Sequence, residues 1–366
     1  MEYYVRELLP KESVKEKEKH AGGKARKDIG ELFESEGMRP IDFLVNNEKR
    51  RDAGLFAKIQ YHIDAFDQWM KKTKPLKKND TLYIQFPIEN HFIFQGLFFY
   101  YLKRKGVRIN FFIHDLLILR EMLKDDRSKK ERIRLWVEEK LSLKLCSTMV
   151  VHNDRMANYL RRMKMNPKKI IKLQIFDYLI PDWDSKRASA RALDRKLPVM
   201  IAGNLDRGKA KYVYHLPDRC DFRLYGIHYD GVIDESKQYM GSFMPEELPY
   251  EMEGSFGLVW DGESSETCSG VYGKYLQINN PHKISLYLAS GIPIVIWEKA
   301  ALADFVKRQG VGITVTSLYD LNDKLASVTE EEYQKMLLQI QKLSGKLRSG
   351  YFTKRAIRLC REKEKI

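Results

Sequence analysis

Cysteine is scarce in this chain and never clustered. Cys146, Cys220, Cys268 and Cys360 stand far apart among 366 residues, with no C-x-x-C pair. That spacing argues against a disulfide framework, a dithiol redox motif and a thiolate zinc site. Four reduced, buried thiols are expected, and with no His or carboxylate partners at ligand spacing no metal is expected. Long apolar runs are also missing. None reaches the roughly 20 residues that span a bilayer, and the nearest, residues 92–102, contains Gln95 and Gly96. The first ten residues carry Glu2, Arg6 and Glu7 where a signal peptide would need an apolar block. These absences together give the expectation of a cytoplasmic protein. Neither GxxxxGK[ST] nor GxGxxG occurs, and no repeat of 20–50 residues is visible.

What is present suits two domains of ordinary size: 43% hydrophobic and 31% charged residues in 366. The formal charge of +15 implies attraction to an anionic partner without naming it. Lys and Arg are spread over most expected helices and are not gathered in one arm. The aromatic residues fall in buried-looking strands, which disfavours a nucleic-acid-binding sheet face. A solvated basic surface is the ordinary reading of so dispersed a charge; among functional readings, peripheral contact with an anionic membrane leaflet carrying a lipid-linked acceptor is preferred to nucleic acid.

From about Asp80 the pattern alternates strand and helix. Thr81–Phe86 (TLYIQF), 107–113 (VRINFFI), Thr148–Val151 and 169–175 (KIIKLQI) read as buried strands. Helices are expected over 91–105, Lys129–Leu145 and 155–165. Residues 181–196 (PDWDSKRASARALDRK) break the rhythm. Strand-like runs then restart at 197–201, 222–225, 256–260, 292–297 and Gly312–Val315, and 330–366 reads as helical. Short apolar runs separated by helices argue for two doubly wound α/β domains with parallel sheets. The expected division is 1–181, a linker at 182–196, 197–349, and a final helical segment 350–366. Two such domains would face each other across a cleft at the carboxyl ends of their strands, so function is sought in residues that follow strands.

Asn279-Asn280-Pro281-His282-Lys283 is the strongest such signal. Asn280 is expected as N-cap, Pro281 as the first helical residue and Gly291 as the stop. A lysine in the first turn faces the positive end of the helix dipole, and a phosphate bound there would reverse that penalty. After the first strand of the second domain, Gly203-Asn204 reads as a sharp turn and Arg207 as a two-pronged phosphate ligand. Tyr225 ends another strand and is a candidate for bordering a uracil ring. Asp261 and Glu298 follow strands where sugar or ribose hydroxyls would lie. Gly22-Gly23, just before a helix expected from about Asp28, reads as a flexible turn able to wrap phosphates or an acceptor. For chemistry, His114-Asp115 follows the strand FFI, and either side chain could take a proton from a hydroxyl. Asp177 is a second candidate base.

The run from Phe256 to Val315 (FGLVWDG…YGKYLQINNPHKISLYLASGIPIVIWEKAALADFV…GVGITV) resembles the C-terminal domain of bacterial beta-galactofuranosyltransferases. It is similar as well to the glucosyltransferases that extend GlcNAc on serine-rich-repeat adhesins. HAGGKARKDI, FFIHDL, IAGNLDRGK and GYFTKRAI extend the likeness over nearly the whole chain. The resemblance implies a GT-B fold, an inverting transfer from a UDP-sugar donor, no metal and no other cofactor. It implies that Arg207, Tyr225, His282 and Lys283 contact UDP, that Ile284 and Ser285 donate from the helix start, and that the last helix crosses back to the first domain. The acceptor would be a glycan, lipid-linked or glycoprotein hydroxyl, with nucleic acid excluded and a homo-oligomer left open. Asn280-Pro281-His282 lies nearer the galactofuranosyl group, which favours galactofuranose as the donor sugar. The alternatives are glucosyl transfer from UDP-glucose to a GlcNAc-modified protein and a non-catalytic UDP-sugar-binding subunit.

Overall fold

The computed structural model describes residues 1–8, 21–45, 54–89, 92–122 and 129–365; a charged run at 11–19 (KESVKEKEK) lies outside them. Two compact units emerge. The first comprises the described residues of Met1–Lys15, Ile29–Gln174 and Thr353–Ile366, and the second those of Glu16–Asp28 and Ile175–Phe352. Residues 182–196, expected as a linker, carry the short helix Ser185–Ser189 and group with the second unit.

The first unit holds six strands: β1 (Glu2–Leu8), β2 (Arg39–Leu44), β3 (Thr81–Phe86), β4 (Arg108–Ile113), β5 (Thr148–Val151) and β6 (Ile170–Lys172). They form one sheet in the order β2-β1-β3-β4-β5-β6, parallel throughout. All six residues of β3 are buried, as a strand covered by helices on both faces requires. The chain reverses its winding between β1 and β3.

The second unit repeats the plan with β7 (Val199–Asn204), β8 (Phe222–Ile227), β9 (Lys237–Gly241), β10 (Gly257–Val259), β11 (Ile294–Trp297) and β12 (Gly312–Val315). Their order is β12-β11-β10-β7-β8-β9, again parallel. This is the doubly wound order of dinucleotide-binding sheets. Its winding reverses between β7 and β10, and ligands of such sheets bind at the carboxyl side of that reversal.

At the reversal the two strands part. They share a single paired position, Gly257 with Met200. The N–H of Ala202, which a continuing ladder would direct toward β10, instead donates to the Tyr287 hydroxyl at 2.7 Å. That oxygen lies 3.4 Å from the Met200 carbonyl and 3.5 Å from that of Leu258. Tyr287 belongs to the helix His282–Ala289 and is fully buried. Its ring fits because residue 257 has no side chain: a Cβ there would stand 2.3 Å from the ring. The sheet is thus held open at its switch point by one hydroxyl.

Tyr287→Phe should strand the Ala202 N–H in the core and lower unfolding free energy by about 1–3 kcal/mol. Gly257→Ala should cost at least as much through overlap with the ring. Urea titration of both variants checks this; wild-type midpoints would contradict the assigned roles.

Candidate active site

The helix His282–Ala289 begins at the reversal. Pro281, expected inside the first turn, occupies the N-cap position instead, with extended backbone (φ −67°, ψ 131°), and no side chain caps the helix. Asn280 therefore lies one residue outside its expected place. Gly291 stops the helix as expected, at φ +83°. Ile284 N–H bonds Pro281 O at 3.1 Å, and the Ser285 hydroxyl donates to Phe176 O at 2.7 Å, tying the helix to the chain that leads into this unit. The N–H groups of His282 and Lys283 have no acceptor among the described residues.

Lys283 does not face an empty pocket. Its ammonium donates to the Trp260 carbonyl at 3.0 Å and to the Asp261 carboxylate at 2.9 Å, both partners lying largely out of solvent. Asp261 thereby offsets the unfavourable dipole for which a phosphate alone was expected to compensate. An ammonium has three N–H groups, so one has no partner among the described residues.

His282 lies against the helix start. Its Nε2 donates to Asp177 O at 3.1 Å, and its ring stacks on Tyr178 with centroids 5.1 Å apart. Donation from Nε2 fixes the neutral tautomer and leaves Nδ1, itself unpartnered, as an acceptor. Burial pulls the imidazole down to about 4, the charge of nearby Lys24 acting in the same direction.

The turn after β7 comes later than expected. Gly203 and Asn204 still pair with Gly226 and Ile227 of β8, and Gly203 has φ +136°, a conformation suited to glycine. The turn forms at Asp206, whose carboxylate caps the short helix Arg207–Ala210. Arg207 is exposed. Its Nε lies 3.0 and 3.1 Å from the two Asp230 oxygens, and its guanidinium stacks 3.9 Å over Tyr214. Four further N–H groups of that fork carry no bond among the described residues. Tyr225 is 0% exposed, its hydroxyl exchanging bonds with the Glu253 backbone. Glu298 follows β11 half-buried, with no side-chain partner among the described residues.

Gly22 and Gly23 are not a loop before a helix. They lie in the first turn of the helix Ala21–Ser35, which is anchored by a pair absent from the sequence-based candidates. Lys24 and Asp28, both buried, meet at 2.6 Å. Lys24 donates to Leu179 O at 2.8 Å and Asp28 accepts Leu179 N–H at 2.9 Å. The i, i+4 spacing of opposite charges was the available signal. Asp177 is also buried, and its carboxylate accepts the Phe352 N–H at 3.1 Å, in the first turn of the helix Tyr351–Lys363.

In the first unit, His114 and Asp115 follow β4 half-buried, and His114 Nε2 lies 2.7 Å from Gln85 Oε1. Behind them stands Glu139, missed in the sequence because it sits inside a charged helix. Its carboxylate accepts Leu117 and Ile118 N–H at 3.0 and 2.9 Å. Burial pushes it up to about 7, and the charge of Asp115 acts the same way. Among the described residues no three His, Cys, Asp or Glu side chains group as a metal site.

These units match known proteins in series. The model of the "Glucosyltransferase 3-like, N-terminal domain" covers residues 3–175 and that of the C-terminal domain residues 199–360. The beta-1,6-galactofuranosyltransferase WbbI of Escherichia coli is 36% identical over 281 residues, 76% of this chain and 78% of that protein. The chain belongs to the glucosyltransferase 3-like family. Glucosyltransferase 3 of Streptococcus parasanguinis is 24% identical, over 84% of this chain and 87% of its own. Among solved structures, sucrose-phosphate synthase of Thermosynechococcus elongatus superposes with a TM-score of 0.61 at 12% identity, covering 98% of both chains. The fold is GT-B, and the protein is a hexosyltransferase.

The depressed His282 fixes a pH effect on this family member's stability. The unfolded imidazole titrates near 6.5 and the folded one near 4, so its contribution is complete above about 6.5 and lost as pH falls toward 4. His282→Gln should flatten the rise of unfolding free energy between pH 4 and 6.5, by about 1.4 kcal/mol for each tenfold difference in proton affinity between the folded and unfolded ring. Parallel wild-type and variant curves would contradict the burial assigned to this ring.

Proposed function

We propose that the enzyme transfers a hexose, galactofuranose before others, from a UDP-sugar to a hydroxyl of a cell-surface glycan or glycolipid acceptor, without a divalent ion. The observation that carries the donor assignment is the set of unused donors at the switch point of the second sheet: two helix-start amides and the third N–H of Lys283. A diphosphate is the chemical partner such a group suits. The open fork of Arg207 adds donors on the neighbouring strand end. Galactofuranose is favoured because WbbI, named as a galactofuranosyltransferase, is 36% identical over 76% of this chain, where glucosyltransferase 3 of Streptococcus parasanguinis is 24% identical over 84% and that of Streptococcus gordonii 33% identical over 32%.

The reaction is a displacement. An acceptor oxygen forms a bond to the anomeric carbon, the bond to the β-phosphate oxygen breaks, and its electron pair leaves with UDP. The proton of the attacking hydroxyl goes to the His114–Asp115 pair. Donors fixed before reaction stabilise the leaving charge, each worth about 10²–10³ in rate.

Lys283→Ala should weaken UDP binding in calorimetry at least tenfold, while Asp115→Asn and His114→Ala should lose transfer and keep UDP affinity. Assays of UDP-galactofuranose, UDP-galactopyranose and UDP-glucose, each with and without EDTA, identify the donor. Undiminished UDP affinity in the lysine variant would overturn the donor site. Full turnover in both base variants would move the base to Asp177.

A further inference from the structure

Among the described residues, no helix is long and apolar enough to cross a membrane, yet three neighbouring helices of the first unit leave apolar stripes uncovered. On the helix Leu55–Thr73, Phe56, Ile59 and Ile63 recur at helical spacing and are exposed, Phe56 to 88%. On the helix Gln95–Arg104 and the residue before it, Phe94, Leu97 and Tyr100 do the same, Leu97 to 61%. On the helix Lys129–Leu145, Ile133, Val137 and Leu141 repeat every four residues, Ile133 to 63%. Single exposed apolar residues are ordinary; three stripes on neighbouring helices are not.

The stripes adjoin. Phe94 packs edge-on against Phe66 of the first helix, ring centroids 5.8 Å apart. The Leu141 side chain lies on Gly96, where a Cβ would meet it at 2.5 Å. Together they make one apolar face crossing three helices.

Charge decides what covers that face. The three helices hold eleven Lys or Arg against five Asp or Glu. Lys58, Lys103, Arg104, Arg134 and Lys144 are all exposed. Lys140 sits 4.0 Å over the Trp136 ring, pairing an aromatic with a cation as at a membrane–water boundary. A second copy would bring the same positive rim against itself and be repelled, whereas an anionic bilayer meets both the apolar face and the rim. Asp64 and Asp67 close the stripe toward the far end of the first helix, so the inserted part is its first two turns.

We infer that this three-helix face is a peripheral docking surface for an anionic lipid bilayer, bringing the enzyme to acceptors embedded there. The inference is independent of the donor assignment.

The test is flotation of the full chain with vesicles of phosphatidylcholine alone or with about 30% phosphatidylglycerol, at low and at 0.5 M salt. The expected result is co-flotation with the anionic vesicles only, weakened by salt as screening requires. The combined variant Phe56→Ser, Leu97→Ser, Val137→Ser should bind about tenfold less, with melting temperature and UDP affinity unchanged because all three residues are exposed. Absence of wild-type binding, or equal binding by the variant, would overturn the inference. So would sedimentation showing a wild-type dimer that the variant converts to monomer, since a second copy would then cover the face.

Discussion

The second unit depends on a hydroxyl inserted between two strands. Where a parallel sheet reverses its winding, a crevice opens outside the carboxyl ends of its central strands; here β7 and β10 share a single paired position, and the backbone groups beyond it are ones that the core cannot leave unbonded. Tyr287 meets that demand. Its ring enters over Gly257, its oxygen takes the Ala202 N–H, and its helix is thereby aimed with its first turn at the gap. The position of Lys283 follows from that of Tyr287, one turn along the same helix.

Electrostatics at the gap are balanced before any ligand arrives. Asp261 pairs with Lys283 and Asp230 with Arg207, so neither cation is a bare charge. The lysine pair is largely out of solvent and the arginine pair is open to it. Screening makes the exposed pair weak and exchangeable, which suits a residue that would turn to a phosphate. The inner pair instead fixes the lysine against the end of β10 and leaves one N–H in place. A diphosphate would add to this arrangement without dismantling it.

The sequence made the buried half of the fold legible. Runs such as TLYIQF and GITV, uniformly apolar or nearly so, gave strand bounds that the structure repeats, and the helix Lys129–Leu145 has the expected ends. Three strands escaped notice. β2 and β9 are edge strands, where Pro40 is tolerated and alternation is blunted by half-exposed residues. β1 carries Arg6, which bonds the carboxylates of Asp42 and Glu34, so its charges read as surface until β2 and the helix Ala21–Ser35 are in place.

Within the site, residues that follow strands were legible because parallel strands end at one edge. What their side chains do there was not. Tyr225 looked like a strand-end aromatic and is core, because Glu253 reaches its hydroxyl from a distant loop. Gly22 and Gly23 looked like a loop because the i, i+4 spacing of Lys24 and Asp28, though local, does not show that both close on Leu179, about 150 positions away.

A structure determined with UDP bound would show whether the start of the helix His282–Ala289 holds the diphosphate. The β-phosphate oxygens are expected within hydrogen-bond distance of the His282 and Lys283 amides, with the Lys283 ammonium still on Asp261. A diphosphate bound away from the start of that helix, with those amides unbonded, would contradict the donor site.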